Sequence, residues 1–134
     1  MAFRKAKSLF STTLSSSIGT GTSDTITLSS ATGLPTDTPI TLTFDRVDSN
    51  GTATPSKMER ITGTISGTSL TTYSRGVDST TAQAHTAGAV IECIWNGADW
   101  NDAIDSIIVE HNQDGTHNST YVVTPTGTQT LTNT

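Results

Sequence analysis

The stretch Glu59-Arg60-Ile61-Thr62-Gly63-Thr64-Ile65, followed by Gly67 and by Leu70-Thr71-Thr72-Tyr73, decides the fold class. Ile61 and Ile65 share one face of an extended chain, β-branched threonines favour a strand, and Gly67 supplies a turn. The segment predicts a tight antiparallel hairpin. Upstream, Ile26 and Leu28 alternate with threonine, and Ile40, Leu42 and Phe44 repeat the pattern, with Gly33-Leu34-Pro35 and Asp48-Ser49-Asn50-Gly51 as turns between runs. Downstream, Arg75 to Gly88 reads as a long irregular loop, and Ala89-Val90-Ile91-Glu92-Cys93-Ile94-Trp95 as the most buried strand. Short strands at this spacing predict a mainly β domain, an antiparallel sandwich or small barrel.

One change of period interrupts the β pattern. Trp100, Ala103, Ile104, Ile107 and Ile108 fall at helical spacing while Asp99, Asp102 and Asp105 take the opposite face, which predicts an amphipathic helix over about 97–110. Asn96 is positioned to cap it, and acids in its first turns suit the positive end of the helix dipole. Trp95 and Trp100 flank the strand-to-helix junction and are expected to pack the helix onto the sheet; the alternative is an aromatic patch for a partner subunit. The expected core is Ile26, Leu28, Ile40, Leu42, Ile61, Ile91 and Ile104.

The organisation that follows has three parts. Residues 1–24 are polar and rich in Ser, Thr and Gly, and read as an extended arm that orders against something else. Residues 25–111 form the β-rich domain with its helix, and 112–134 an extended Thr-rich tail in which Tyr121-Val122-Val123 is one strand candidate. A chain of 134 residues has room for a single core. With 32% apolar residues and one cysteine, Cys93, that core is thin and no internal disulfide can reinforce it, which points to self-association.

Charge narrows the function classes. A formal net charge of -5 argues against a general nucleic-acid binder, because phosphate affinity comes from clustered Lys and Arg. The start is nevertheless basic, with Arg4, Lys5 and Lys7, while Glu92 to Asp114 holds six acids and no Lys or Arg, so opposite ends can attract one another within or between copies. Serines and threonines interrupt the apolar run a signal peptide needs, and nothing approaches the ~18 apolar residues of a membrane span.

Few residues carry chemistry. Arg75 and His85 bracket the loop that holds Asp78, and the Arg75 guanidinium is suited to clamp backbone carbonyls or a carboxylate and so order that loop. His85, His111 and His117 fall short of the roughly four ligands of a zinc site, so no metal or other cofactor is expected. No Gly-x-Ser-x-Gly elbow or paired-carboxylate pattern marks a catalytic centre, and no enzyme activity is expected.

The run Glu59-Arg60-Ile61-Thr62, Gly67, Leu70, Arg75-Gly76, Thr81-Ala82, His85, Gly88-Ala89-Val90-Ile91 resembles a module near the N-termini of tailed-bacteriophage fibre and other virion structural proteins. Glu110-His111-Asn112-Gln113-Asp114-Gly115-Thr116-His117 is similar to the element that follows it in such proteins, and Thr128-Gln129-Thr130-Leu131-Thr132-Asn133 to the opening of a trimeric fibre shaft. Asn118 departs from the Lys common there. The resemblance implies a fibre anchor, tail adaptor or capsid decoration protein, homo-oligomeric and trimeric, assembled in the host bacterial cytoplasm. Its partners would be other virion proteins, neither nucleic acid nor membrane. On this reading Arg4, Lys5 and Lys7 dock the arm, and Arg75, Asp78, His85, Trp95, Trp100, His111 and His117 order loops or line interfaces. The alternative is a module that binds a host-surface carbohydrate.

Overall fold

The structure, a computed structural model, describes residues 10–95 and 97–110. It is mainly β, with strands β1 (Phe10–Thr13), β2 (Ile26–Thr27), β3 (Ile40–Phe44), β4 (Glu59–Ser66), β5 (Ser69–Ser74) and β6 (Val90–Cys93), then one helix, α1 (Gly97–Glu110). All six strands belong to one antiparallel sheet in the order β1-β6-β3-β4-β5-β2. The sheet curls into a half-barrel. Its two edge strands approach where Leu14 pairs with Leu28, held by backbone bonds from Ser15 N to Thr27 O (2.8 Å) and from Ser29 N to Thr13 O (2.8 Å).

Alternation explains which side faces in. Along β4 every second residue from Glu59 to Ile65 is buried, and the residues between are partly exposed, as a strand covered on one face demands. β3 lies at the centre and is buried on both faces: Ile40, Leu42 and Phe44 fill the concave side, while Thr41 and Thr43 on the other are 2% and 0% exposed. Thr41 is satisfied there by a hydroxyl pair with its cross-strand partner Thr62 at 2.8 Å.

The predicted hairpin forms as β4 and β5, with Ser66 opposite Ser69 and Gly67 at φ 62°. A positive φ at the first central position matches the right-handed twist of the strands and favours glycine. Further along, the register slips between Thr62 and Thr64, leaving two residues, Thr72 and Tyr73, facing Gly63. A side chain at 63 would meet Leu70 Cγ and Tyr73 Cβ at 2.9 Å, so the bulge needs glycine there. The extra residue throws Tyr73 inward enough for its hydroxyl to donate to Asp24 O at 2.7 Å.

Six of the seven expected core residues, Ile26, Leu28, Ile40, Leu42, Ile61 and Ile91, are at most 1% exposed. Two expectations require correction. The arm assigned to residues 1–24 does not extend that far: Phe10–Thr13 pair with β6, and Leu14 and Ile18 belong to the core at 1% and 5% exposure. The sheet needs a partner for β6 and a side chain to fill the space near Leu28, and this segment provides both. The helix forms, but among the described residues no strand packs against it, and Trp95 and Trp100, expected to join it to the sheet, are 62% and 58% exposed. Ile104, placed in the core by periodicity, is only partly covered. The proposed cap Asn96, the tail from 112 and the strand candidate at 121–123 lie outside the described residues.

Candidate functional site

The most concentrated polar chemistry of the described residues lies inside the half-barrel, at the start of β4. Glu59 is in phase with Ile61 and Ile65, so its side chain points into the core, where it is 0% exposed. A lone carboxylate there would be prohibitive, so it must be paired and hydrogen-bonded. Five N–H groups reach it. Arg75 grips it side-on, Nε to Oε1 at 3.0 Å and Nη2 to Oε2 at 2.6 Å. The backbone N–H of Gly76 donates to Oε1 and that of Gln83 to Oε2, each at 3.0 Å. His85 Nε2 completes the set at 2.9 Å from Oε2.

Arg75, whose side chain is 2% exposed, uses its whole fork of donors. Besides Glu59, Nη1 donates to Gly19 O (2.6 Å) and Gly21 O (3.1 Å), and Nη2 donates to Gln83 O. Asp24 stands 3.8 Å from Nη1 and itself accepts the N–H of Gly19 at 2.9 Å. One guanidinium thus ties together β4, the loop after β5 and the segment that leads from Ile18 to β2.

His85 links the other side. Its Nδ1 lies 2.8 Å from Asp45 Oδ2, its ring stacks at a tilt against Phe44 with centroids 5.3 Å apart, and its side chain is fully buried. Its backbone exchanges two hydrogen bonds with Ile18, at 2.9 and 3.0 Å. Asp45 follows the last residue of β3 and is held at φ 48°, a left-handed conformation that short polar side chains tolerate better than most. The loop between Arg75 and His85 is equally constrained: Gly76 has φ 60°, and a Cβ on it would stand 2.9 Å from Ala82 N.

Electrostatics follow from this packing. Burial pushes the Glu59 carboxyl up, but hydrogen bonds from His85, Arg75 and the Gln83 N–H, with the Arg75 charge, outweigh it and hold the group at about 2. For His85 burial acts downward, and the hydrogen bonds to Glu59 and Asp45 with their negative charges reverse it, so its value is raised. Of the linked Glu59, Arg75, His85 and Asp45, Asp45 is closest to solvent, at 15% side-chain exposure, and borders a cleft of about 390 Å³ shared with Asp48, Thr54, Lys57 and Thr86.

A second pair of ion bridges decorates the convex face. Arg46 meets Glu92 side-on at 2.7 and 2.9 Å, and Arg60 meets Asp78. Arg46 is 44% exposed, so its bridge contributes little. Asp78 and Ser79 both adopt positive φ, 52° and 63°.

Of the residues singled out from sequence, Arg75 and His85 therefore meet at Glu59, Asp78 goes instead to Arg60, and Trp95 and Trp100 face solvent 6.4 Å apart at a tilt of 54°. His111, His117, Arg4, Lys5 and Lys7 lie outside the described residues. Sequence reasoning did not assign Glu59 or Asp45 to the site. The signal for Glu59 was its strand phase, since a carboxylate two residues before Ile61 shares its buried face. Asp45 had no comparable mark. Among the described residues no group of His, Cys, Asp and Glu is disposed to hold a metal ion, and no helix is long and apolar enough to cross a membrane.

Chemically, the cluster couples charges to chain closure. Both imidazole nitrogens are occupied by carboxylates, and Glu59 and His85 have no surface open to a substrate. Comparison with protein-family models, characterised proteins and solved structures gives no match. Fold and site together define a mainly β half-barrel domain locked by an internal ion cluster.

Proposed function

We propose that this chain is a structural component of a tailed-bacteriophage virion, a fibre anchor, tail adaptor or capsid decoration protein that works by self-association and docking rather than catalysis. The observation that carries this reading is the disposition of its motif residues. Glu59, Arg75 and His85, part of the run that resembles the virion module, turn inward and spend their charges on one another. Large apolar side chains face outward instead, at Trp95 just before α1 and Trp100 in its first turn. An exposed aromatic pair at the root of a helix whose acids lie on the opposite face suits contact between copies, because apolar stripes can meet while like charges stay apart. On this reading the stripe joins subunits, as trimers, and the basic start with Arg4, Lys5 and Lys7 docks the assembly onto other virion proteins.

Light scattering on the full chain tests it. Self-association that is weakened in the double variant Trp95→Ala/Trp100→Ala, with unchanged circular dichroism, supports the reading. A wild-type chain that stays monomeric at high concentration defeats the self-association part. The tilted tryptophan pair also favours a second reading, a platform for a host-surface glycan, since sugars stack on exposed indoles. Glycan-array binding that vanishes in the same variant would select that reading.

A further inference from the structure

We propose that the cluster Asp45–His85–Glu59–Arg75 is a proton-dependent latch, closed when the His85 ring carries a proton on both nitrogens, and that it holds the Ile18–Asp24 segment and the loop from Arg75 to His85 against β4. With Asp45 and Glu59 both ionised, the geometry requires two donors from one ring. Nδ1 and Nε2 stand 2.8 and 2.9 Å from carboxylate oxygens, and an ionised carboxylate only accepts. A neutral imidazole has a single N–H, so one of the two contacts would set lone pair against lone pair.

Moving the proton onto Glu59 does not resolve the conflict. Both of its oxygens already accept from other N–H groups, Arg75 Nε and Gly76 N on Oε1, Arg75 Nη2 and Gln83 N on Oε2. The groups that face the ring are few: Asp45 from the end of β3, Glu59 from β4, and the uncharged ring of Phe44. Behind Glu59 stands Arg75, and beyond it Asp24 at 3.8 Å, while Lys57 and Asp48 share the cleft that Asp45 borders. The carboxylates of Asp24, Glu59 and Asp45 thus outnumber the one guanidinium of the cluster, and a charged imidazole restores near balance. Asp45, partly exposed in that cleft, gives the proton its path to solvent.

What the latch holds is specified by the same bonds. His85 is the backbone partner of Ile18, Arg75 binds Gly19 O and Gly21 O, and Glu59 binds the N–H groups of Gly76 and Gln83. Loss of the ring proton breaks one contact at the hub that joins both segments to β4. Gly19 and Gly21 and the Gly76 and Gln83 N–H groups are held through these bonds, while the loop keeps its contacts of Val77, Asp78 and Thr80 with Arg60, so these points loosen first while β3 to β6 persist.

Nuclear magnetic resonance on the full chain tests the inference. Ring-nitrogen spectra at pH 7 should show His85 with both nitrogens protonated, in a fraction above the about one quarter expected of an ordinary histidine. As pH rises, the backbone signals of Gly19, Gly21 and Gln83 should move with the same midpoint as the ring. Asp45→Asn, which removes one negative acceptor at the partly exposed end, should fold and shift that midpoint downward. A single-tautomer neutral ring at pH 7, backbone signals that ignore the ring titration, or an unchanged midpoint in Asp45→Asn would each overturn it.

Discussion

At the scale of single residues, the buried charge of Glu59 sets the terms for its neighbours. Its carboxylate tolerates burial only because Arg75 and His85 neutralise it and two backbone N–H groups complete its shell. Replacing Arg75 by Ala leaves that charge uncompensated in the core, a change expected to cost about 3–5 kcal/mol of folding free energy. Arg75→Lys should recover only part, since an ammonium carries three donors on a point charge and the fork makes five bonds. Urea unfolding of the three proteins checks the order wild type, Lys, Ala. Equal stability of the Ala variant would mean the pairing contributes nothing. This residue was half legible in sequence: Arg75 declared itself as a clamp because an irregular loop needs one, whereas Glu59 had to be recognised by its strand phase. Asp45 was not legible at all, since it sits just past a strand end and its role depends on a left-handed turn that brings it to His85.

At the scale of elements, the β4–β5 hairpin was readable because its determinants are local: alternation, a glycine turn and β-branched threonines. Its bulge was not, since the need for glycine at 63 arises from the approach of Leu70 and Tyr73 on the neighbouring strand. Gly63→Ala must push those side chains apart, and about 1–3 kcal/mol of destabilisation is expected from overpacking. Thermal unfolding measures it, with Gly51→Ser as a comparison in an open turn where a side chain meets nothing within 4 Å but positive φ still strains it. A Gly63→Ala protein as stable as wild type would remove the packing argument. The opposite error occurred at the start of the chain. Leu14 and Ile18 stand alone among serines and threonines, so no period revealed them, and only the vacancy beside β6 and Leu28 gives them a place in the core. The helix shows a third case, in which the period was right and its use was not: an amphipathic stripe states that a face needs cover without stating what covers it.

At the scale of the whole molecule, the cluster links folding to pH, and the sign can be derived from both ends of one contact. Glu59 is held at about 2 in the folded protein against an ordinary 4.5, so its contribution is complete above about pH 4.5 and is lost as pH falls towards 2. His85 is raised from 6.5, so its contribution is complete below about pH 6.5 and is lost as pH rises through the raised value. The two limits leave a plateau of stability between about pH 4.5 and 6.5, on the acid side of neutrality. Denaturation midpoints measured from pH 2 to 10 should trace that plateau, and the alkaline decline should disappear in His85→Gln, whose side chain does not titrate, while the acid decline remains. A wild-type curve that is flat above pH 6.5 would detach His85 from folding. The fall on the alkaline side also separates the cluster from ordinary surface pairs such as Arg46 with Glu92, which weaken with added salt instead. Repeating the scan at high salt therefore distinguishes the two contributions: the buried cluster should keep its pH profile, because ions cannot reach Glu59 and His85, which are fully enclosed.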